Sequence, residues 1–294
     1  MKTGVSSYCF EGLRRGGSYT LFDAIAYTKK TGFDAIEFTE FPKSGDLSPG
    51  DFARKIRDAC DAAGLSIANY TIGADFLYGS GGDIKRETAR VKEAVDTAAI
   101  LGVPGMRHDS GWGFKAAGQD TALGRNYRDA IRLMAPAIRE VSEYAAGLGI
   151  RTMCENHGYF MQDSSRVEEL VLAVNHPNFG LLVDIGNFMC ADEPSLHALP
   201  TVMPYAFHVH AKDFLWKPGR EPKPDNTWFP TRAGNHLRGT ILGHGEVSVA
   251  QCLDYIKKAG YDGTISLEFE GPEEPLEAIR LGYEFIKTHI SAKP

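Results

Sequence analysis

From end to end the chain alternates between short apolar runs of strand character and amphipathic runs of helical character, and it does so eight times. Such alternation joins neighbouring strands through helical crossovers, so the strands lie parallel and the helices cover them. Eight units close a parallel sheet on itself. That predicts an α/β chain folded as a (β/α)8 TIM barrel, with an open doubly wound sheet as the alternative. A length of 294 residues suits a single barrel domain spanning 1–294.

The predicted strands are Thr3–Cys9, Phe33–Thr39, Leu65–Thr71, Val103–His108, Ile150–Glu155, Phe179–Asp184, Tyr205–His210 and Thr264–Phe269. Gly32 and Gly64 follow helical runs, and Ser48-Pro49 precedes one, as helix ends require. A long helix is predicted from about Gly124 to Leu148, with Ile131, Met134, Ile138, Val141 and Tyr144 forming its apolar face. Pro136 inside it predicts a kink or a break. One interval breaks the rhythm. Residues 214–245 are rich in Pro and Gly yet hold Trp216, Trp228 and Phe229. Disordered segments are poor in aromatics, so this interval reads as an ordered active-site loop over the barrel mouth.

Composition narrows the partners. Apolar content of 43% and charged content of 24% fit a soluble protein with a sizeable core. A net charge of −6 disfavours nucleic acid, which needs clustered Lys and Arg. Cys9, Cys60, Cys154, Cys190 and Cys252 form no close pair and read as reduced thiols of a cytoplasmic protein. No signal peptide or membrane span is evident, so no membrane partner is expected. A homo-oligomer is compatible with such a chain.

Acidic or imidazole side chains end four strands in succession: Glu155, Asp184, His210 and Glu268. A barrel gathers the C-terminal ends of its strands at one face. A lone Asp there is normally a cap, and a lone His a core residue. Four together, each costly to bury unpaired, form a site for one divalent cation. Three carboxylates and an imidazole suit manganese first, with magnesium, cobalt or zinc as alternatives. Other residues expected near the pocket are His108, His157, Lys212, Trp112 and Glu37, with Trp112, Tyr8 and Phe114 offering apolar faces to a bound substrate. Lys212 is expected to meet an anionic substrate or to pair with Asp213, and Glu37 to hold a substrate hydroxyl or a neighbouring Lys or Arg.

The motifs ENHG at Glu155–Gly158, DIGN at Asp184–Asn187, HVHAKD at His208–Asp213 and GYDGTISLE at Gly260–Glu268 carry a resemblance across essentially the whole chain. FDAIEF at Phe33–Phe38 and GHGEVS at Gly243–Ser248 add to it. The chain resembles the sugar isomerase/epimerase superfamily with the xylose isomerase-like barrel, which also includes endonuclease IV-type DNA repair enzymes. The resemblance implies that Glu155, Asp184, His210 and Glu268 bind one divalent ion. It also implies that Glu155 and Glu268 act as an acid/base pair on a ketose, aldose or related polyol, through an enediolate. Isomerisation and epimerisation both fit.

Three positions depart from the ketose epimerases of that superfamily. Asn187 stands where a His is common, Trp216 where an Arg is, and Met161 where a Glu is. A lyase or dehydratase acting on a cyclic polyol or a glycoside-derived substrate therefore remains the nearest alternative. No Gly-rich phosphate cradle is evident, so an unphosphorylated substrate is favoured. Endonuclease IV-type repair would need further His ligands for three zinc ions, and Asn187, Asn69-Tyr70 and Asp225-Asn226-Thr227 do not supply them. A non-catalytic barrel subunit is disfavoured because all four predicted ligands are present.

Overall fold

A computed structural model describes residues 1–41, 47–113, 126–158 and 160–291. Eight parallel strands close into a barrel: β1 (Lys2–Ser6), β2 (Ala35–Thr39), β3 (Ser66–Ile72), β4 (Gly105–His108), β5 (Arg151–Glu155), β6 (Phe179–Asp184), β7 (Ala206–Ala211) and β11 (Thr264–Leu267). β1 closes the ring by pairing with both β2 and β11. The predicted strands are all present, with ends displaced by a few residues. Glu268 lies one residue past β11.

Helices α1 (Glu11–Arg15), α2 (Leu21–Thr31), α3 (Pro49–Ala63), α4 (Ile84–Leu101), α5 (Tyr127–Gly147), α6 (Ser164–Val174), α7 (Ser195–Val202), α8 (Val249–Lys258) and α9 (Pro275–Ser291) connect the strands. Local chemistry sets their ends. Thr20 and Asp23 form a reciprocal capping box on α2, and the Ser48 side chain accepts from Asp51 N at the start of α3. Gly32 stops α2 at φ 104°, a conformation that a side chain would strain.

The expected kink at Pro136 does not end α5, which runs unbroken through it. A buried stripe of Ile131, Met134, Ile138, Val141 and Ala145 holds the helix to the barrel and outweighs the lost backbone bond. Tyr144 is not part of that stripe. It is 38% exposed and donates its hydroxyl to Asp96 Oδ1 at 2.6 Å. The predicted start of this helix near Gly124, like Phe114, falls outside the described residues.

The interval after β7 is ordered. β8 (Asp213–Lys217), β9 (Phe229–Pro230) and β10 (His236–Thr240) form a small antiparallel sheet in the order β8-β10-β9. Trp228 is buried against it, whereas Trp216 is exposed.

The barrel interior departs from the usual filling of branched apolar residues. Glu37 of β2, Asn69 of β3, His208 of β7 and Ser266 of β11 are all buried and bonded to one another there. This polar layer lies beneath the centre described next.

Candidate metal centre

Glu155, Asp184, His210 and Glu268 converge. Each offers one ligand atom, and these atoms all lie within 4.8 Å of one another. Asp184 and His210 are fully buried, Glu155 nearly so, and Glu268 borders a cavity of about 250 Å³. Tyr8, Thr39, Thr71, Arg107, Trp112, His157, Lys212 and Glu270 share the cavity wall with Glu155, His210 and Glu268.

The strand ends are tied together by groups that sequence reasoning passed over. The Asn156 side chain donates to Asp184 O and accepts from Asp184 N, at 2.9 and 2.8 Å, which locks the end of β5 to the end of β6. Asp184 Oδ1 accepts from the backbone N–H groups of Gly186 and Asn187, at 2.8 and 3.0 Å. That turn occupies one carboxylate oxygen and leaves Oδ2 with no hydrogen-bond partner among the described residues. His210 Nδ1 is likewise without a hydrogen-bond partner, 3.8 Å from Asp184 Oδ2 and 3.6 Å from Glu268 Oε2. Two buried atoms that face each other without a hydrogen bond among the described residues, Oδ2 meeting only the Lys212 ammonium, fit a shared cation.

Two basic side chains also enter the cluster. Lys212 Nζ lies 2.5 Å from Glu268 Oε2 and 3.2 Å from Asp184 Oδ2, and donates to Asn187 Oδ1 at 3.2 Å. Lys212 therefore does not pair with Asp213, whose carboxylate instead accepts backbone N–H groups of Gly243, Gly245 and Val247. Arg107 Nη2 lies 2.5 Å from Glu155 Oε2, and Asn187 Nδ2 donates to Glu155 Oε1 at 2.8 Å.

These cations do not balance the acids. Burial pushes the Asp184 carboxyl up despite Lys212, and Glu268 and Glu155 add to the rise. Burial also opposes ionisation of Glu268, but Lys212 and His210 beside it hold its carboxyl well below the usual range. Burial raises Glu270, which Lys212 at 3.8 Å only partly offsets. An excess of buried negative charge is the condition that a divalent ion relieves.

Of the remaining predicted residues, His157, Trp112 and Tyr8 line the cavity. His157 Nδ1 lies 3.0 Å from Asp109 Oδ1, and the Trp112 ring meets the imidazole edge-on at 4.7 Å between centroids. Burial would lower the His157 pKa, but Asp109 raises it above the ordinary value.

His108 and Glu37 are elsewhere. His108 points out of the barrel, between Phe76 and Phe179, and burial pushes its pKa down to about 4. The basic group that reaches the cavity from β4 is its neighbour Arg107. Adjacent strand residues face opposite sides, so a choice wrong by one position selects the wrong face. Glu37 is completely buried and meets neither substrate space nor a Lys or Arg. Its partners are His208 and His210, at 3.1 and 2.8 Å. Burial resists its ionisation, but His210 and His208 hold it well below the usual carboxylate range.

The three departures noted in the sequence separate in space. Asn187 bridges Glu155 and Lys212 at the centre. Met161 is buried outside the cavity wall. Trp216 borders a different cavity, of about 350 Å³, beside α7. No residue of the interval 214–245 is among those lining the metal-centre cavity. Among the described residues, no helix is long and apolar enough to cross a membrane.

Comparison with known proteins agrees with this architecture. A putative L-ribulose-5-phosphate 3-epimerase, UlaE of Shigella dysenteriae, is 23% identical over 280 residues, covering 92% of this chain and 89% of that protein. The structure of D-psicose 3-epimerase with D-tagatose from Clostridium cellulolyticum superposes with a TM-score of 0.73 at 16% identity, covering 99% of this chain and 100% of that one. The probable 3-DHS dehydratase AsbF of Bacillus anthracis gives a TM-score of 0.73 at 16% identity, covering 98% of this chain and 99% of that one. Residues 25–289 match the family described as xylose isomerase-like TIM barrel, and the chain belongs to that family.

Proposed function

We propose that the protein is a divalent-metal-dependent sugar epimerase or isomerase, acting on a ketose, aldose or related polyol. The observation that carries this reading is the convergence of Glu155, Asp184, His210 and Glu268, with Asp184 Oδ2 and His210 Nδ1 left without a hydrogen bond in a buried, acid-rich site. The epimerase names of UlaE and of the Clostridium protein support the reaction class. Manganese is the favoured ion.

A divalent ion held by these four residues would polarise adjacent sugar oxygens and stabilise the charge left when a carbon-bound proton departs. The chain's own groups do the rest. Glu155 and Glu268 come from β5 and the end of β11, so they approach the cavity from different sides of the ring of strands. One takes the proton from carbon and the other returns one. Arg107 and Asn187 hold Glu155 in place, and Lys212 holds Glu268. Trp112 and Tyr8 give the sugar a partly apolar wall. The interval 214–245 is proposed to act from outside that wall.

His157 favours a second reading, dehydration of a cyclic polyol. Its Nδ1 is engaged by Asp109, which leaves the other ring nitrogen to protonate a departing hydroxyl. The test is a panel of ketoses, aldoses and inositol-type polyols in deuterated water, with protein loaded with manganese or stripped with chelator. Metal-dependent deuterium at one carbon supports epimerisation or isomerisation, and loss of water with a new double bond selects the second reading. No exchange and no product with any sugar would refute both.

A further inference from the structure

We propose that Glu37 is a positioning residue that fixes the tautomer of His210, so that Nδ1 and not Nε2 is the nitrogen presented to the ion. The inference rests on the metal-dependent reading above and assigns a role to a residue that touches neither substrate space nor the ion.

Glu37 sits on β2 and reaches across the closed barrel to β7. His210 Nε2 lies 2.8 Å from Glu37 Oε1, and His208 Nε2 lies 3.1 Å from Glu37 Oε2. Asn69 Nδ2 donates to the same Oε2 at 3.2 Å. Glu37 and His210 are 0% and 1% exposed, so water does not compete for these bonds.

An ionised carboxylate only accepts hydrogen bonds. Both imidazoles must therefore carry their proton on Nε2. The neutral imidazole that would bind an ion has one N–H, so placing it on Nε2 makes Nδ1 of His210 the bare lone pair. That is the nitrogen which faces Asp184 and Glu268 and has no hydrogen-bond partner. The opposite tautomer would set the Nε2 lone pair against a carboxylate oxygen at 2.8 Å, a repulsive contact.

His208 and Asn69 anchor Oε2, and this keeps Oε1 under His210. Ser266 Oγ, 2.9 Å from His208 Nε2, completes the anchor. A carboxylate that orients a metal-binding imidazole typically contributes about 10–100-fold in metal affinity. Glu37 is built to do this for His210. Glu37→Gln keeps the shape but offers one oxygen and one NH2, so one of the two imidazoles must face a donor.

The test measures manganese binding by calorimetry for wild type, Glu37→Gln and Glu37→Asp, with circular dichroism of each metal-free protein as the fold control. Glu37→Gln is expected to bind about 10–100-fold more weakly, with Glu37→Asp recovering part of the loss. In parallel, imidazole ¹⁵N spectra of the zinc-loaded wild type should place protons on Nε2 of His208 and His210, and zinc on Nδ1 of His210. This second measurement needs no variant to fold. Folded Glu37→Gln that binds manganese within threefold of wild type, or zinc on Nε2, would overturn the inference alone. A wild type that binds no ion would overturn the metal-dependent reading as well.

Discussion

Replacing Lys212 by Met tests whether its ammonium is the internal counter-ion of the centre. The side chain is 5% exposed, and its Nζ lies 2.5 Å from Glu268, 3.2 Å from Asp184 and 3.8 Å from Glu270. Met keeps the length and apolar stem but removes the charge. Asp184 and Glu268 would then be buried acids without their nearest cation. Removing one partner of a buried ion pair costs about 3–5 kcal/mol. Unfolding entropy of about 2.1 cal/mol/K per residue gives about 0.6 kcal/mol/K for a chain of 294 residues. The metal-free variant should therefore melt about 5–8 °C below wild type, measured in chelator by calorimetry. Manganese binding should change in the opposite direction, because a divalent ion no longer shares the acids with an ammonium. Its affinity should rise by about tenfold or more, since a nearby like charge is removed. A metal-free melting loss below about 1.5 °C, or weaker manganese binding by the variant, would refute this account of Lys212.

Three further outcomes are expected. Glu155→Gln and Glu268→Gln should each lower turnover by at least about 100-fold while the protein still folds, as circular dichroism would show; full activity in either ends its acid/base assignment. Metal affinity should fall as pH falls, because Asp184 and His210 both hold their protons more tightly than usual and must release them to bind an ion. For Asp184 the folded pKa exceeds the unfolded one, so this group's contribution to the stability of the metal-free protein is full below about pH 4 and is lost as pH rises to about 7; a metal affinity that does not vary between about pH 5.5 and 8 would contradict the proton release. His108→Leu should preserve turnover, since the ring packs outside the cavity. The wild-type imidazole, with its pKa lowered to about 4, contributes stability that is complete above about pH 6.5 and fades as pH falls, by about 3 kcal/mol in all. The variant should lack that slope in denaturant melts between pH 4 and 7, and an unchanged slope would show the ring to be solvated.

The convergence of Glu155, Asp184, His210 and Glu268 was legible in sequence because each is a polar residue that ends an apolar run, and a barrel turns such positions toward one face. His157 and Lys212, which line the same cavity, were found by sitting two residues beyond Glu155 and His210. Arg107 and Asp109 were missed although both adjoin His108, and Glu270 was missed although it lies two residues beyond Glu268. Asn156 was missed because an amide inside ENHG gives no sign of which backbone it will bracket. Its partner, Asp184, is 28 residues away.

The order of strands and helices, the closure of eight units and the identities of Glu155, Asp184, His210 and Glu268 follow from the sequence alone, since periodicity and strand-end position are local properties. Which neighbour faces the cavity, Arg107 or His108, required the tertiary structure, because a shift of one residue along a strand reverses the side. So did the partners of Lys212 and Glu37. Both are set across the barrel by strands distant along the chain, and only closure of the ring brings a carboxylate of β2 within reach of an imidazole of β7.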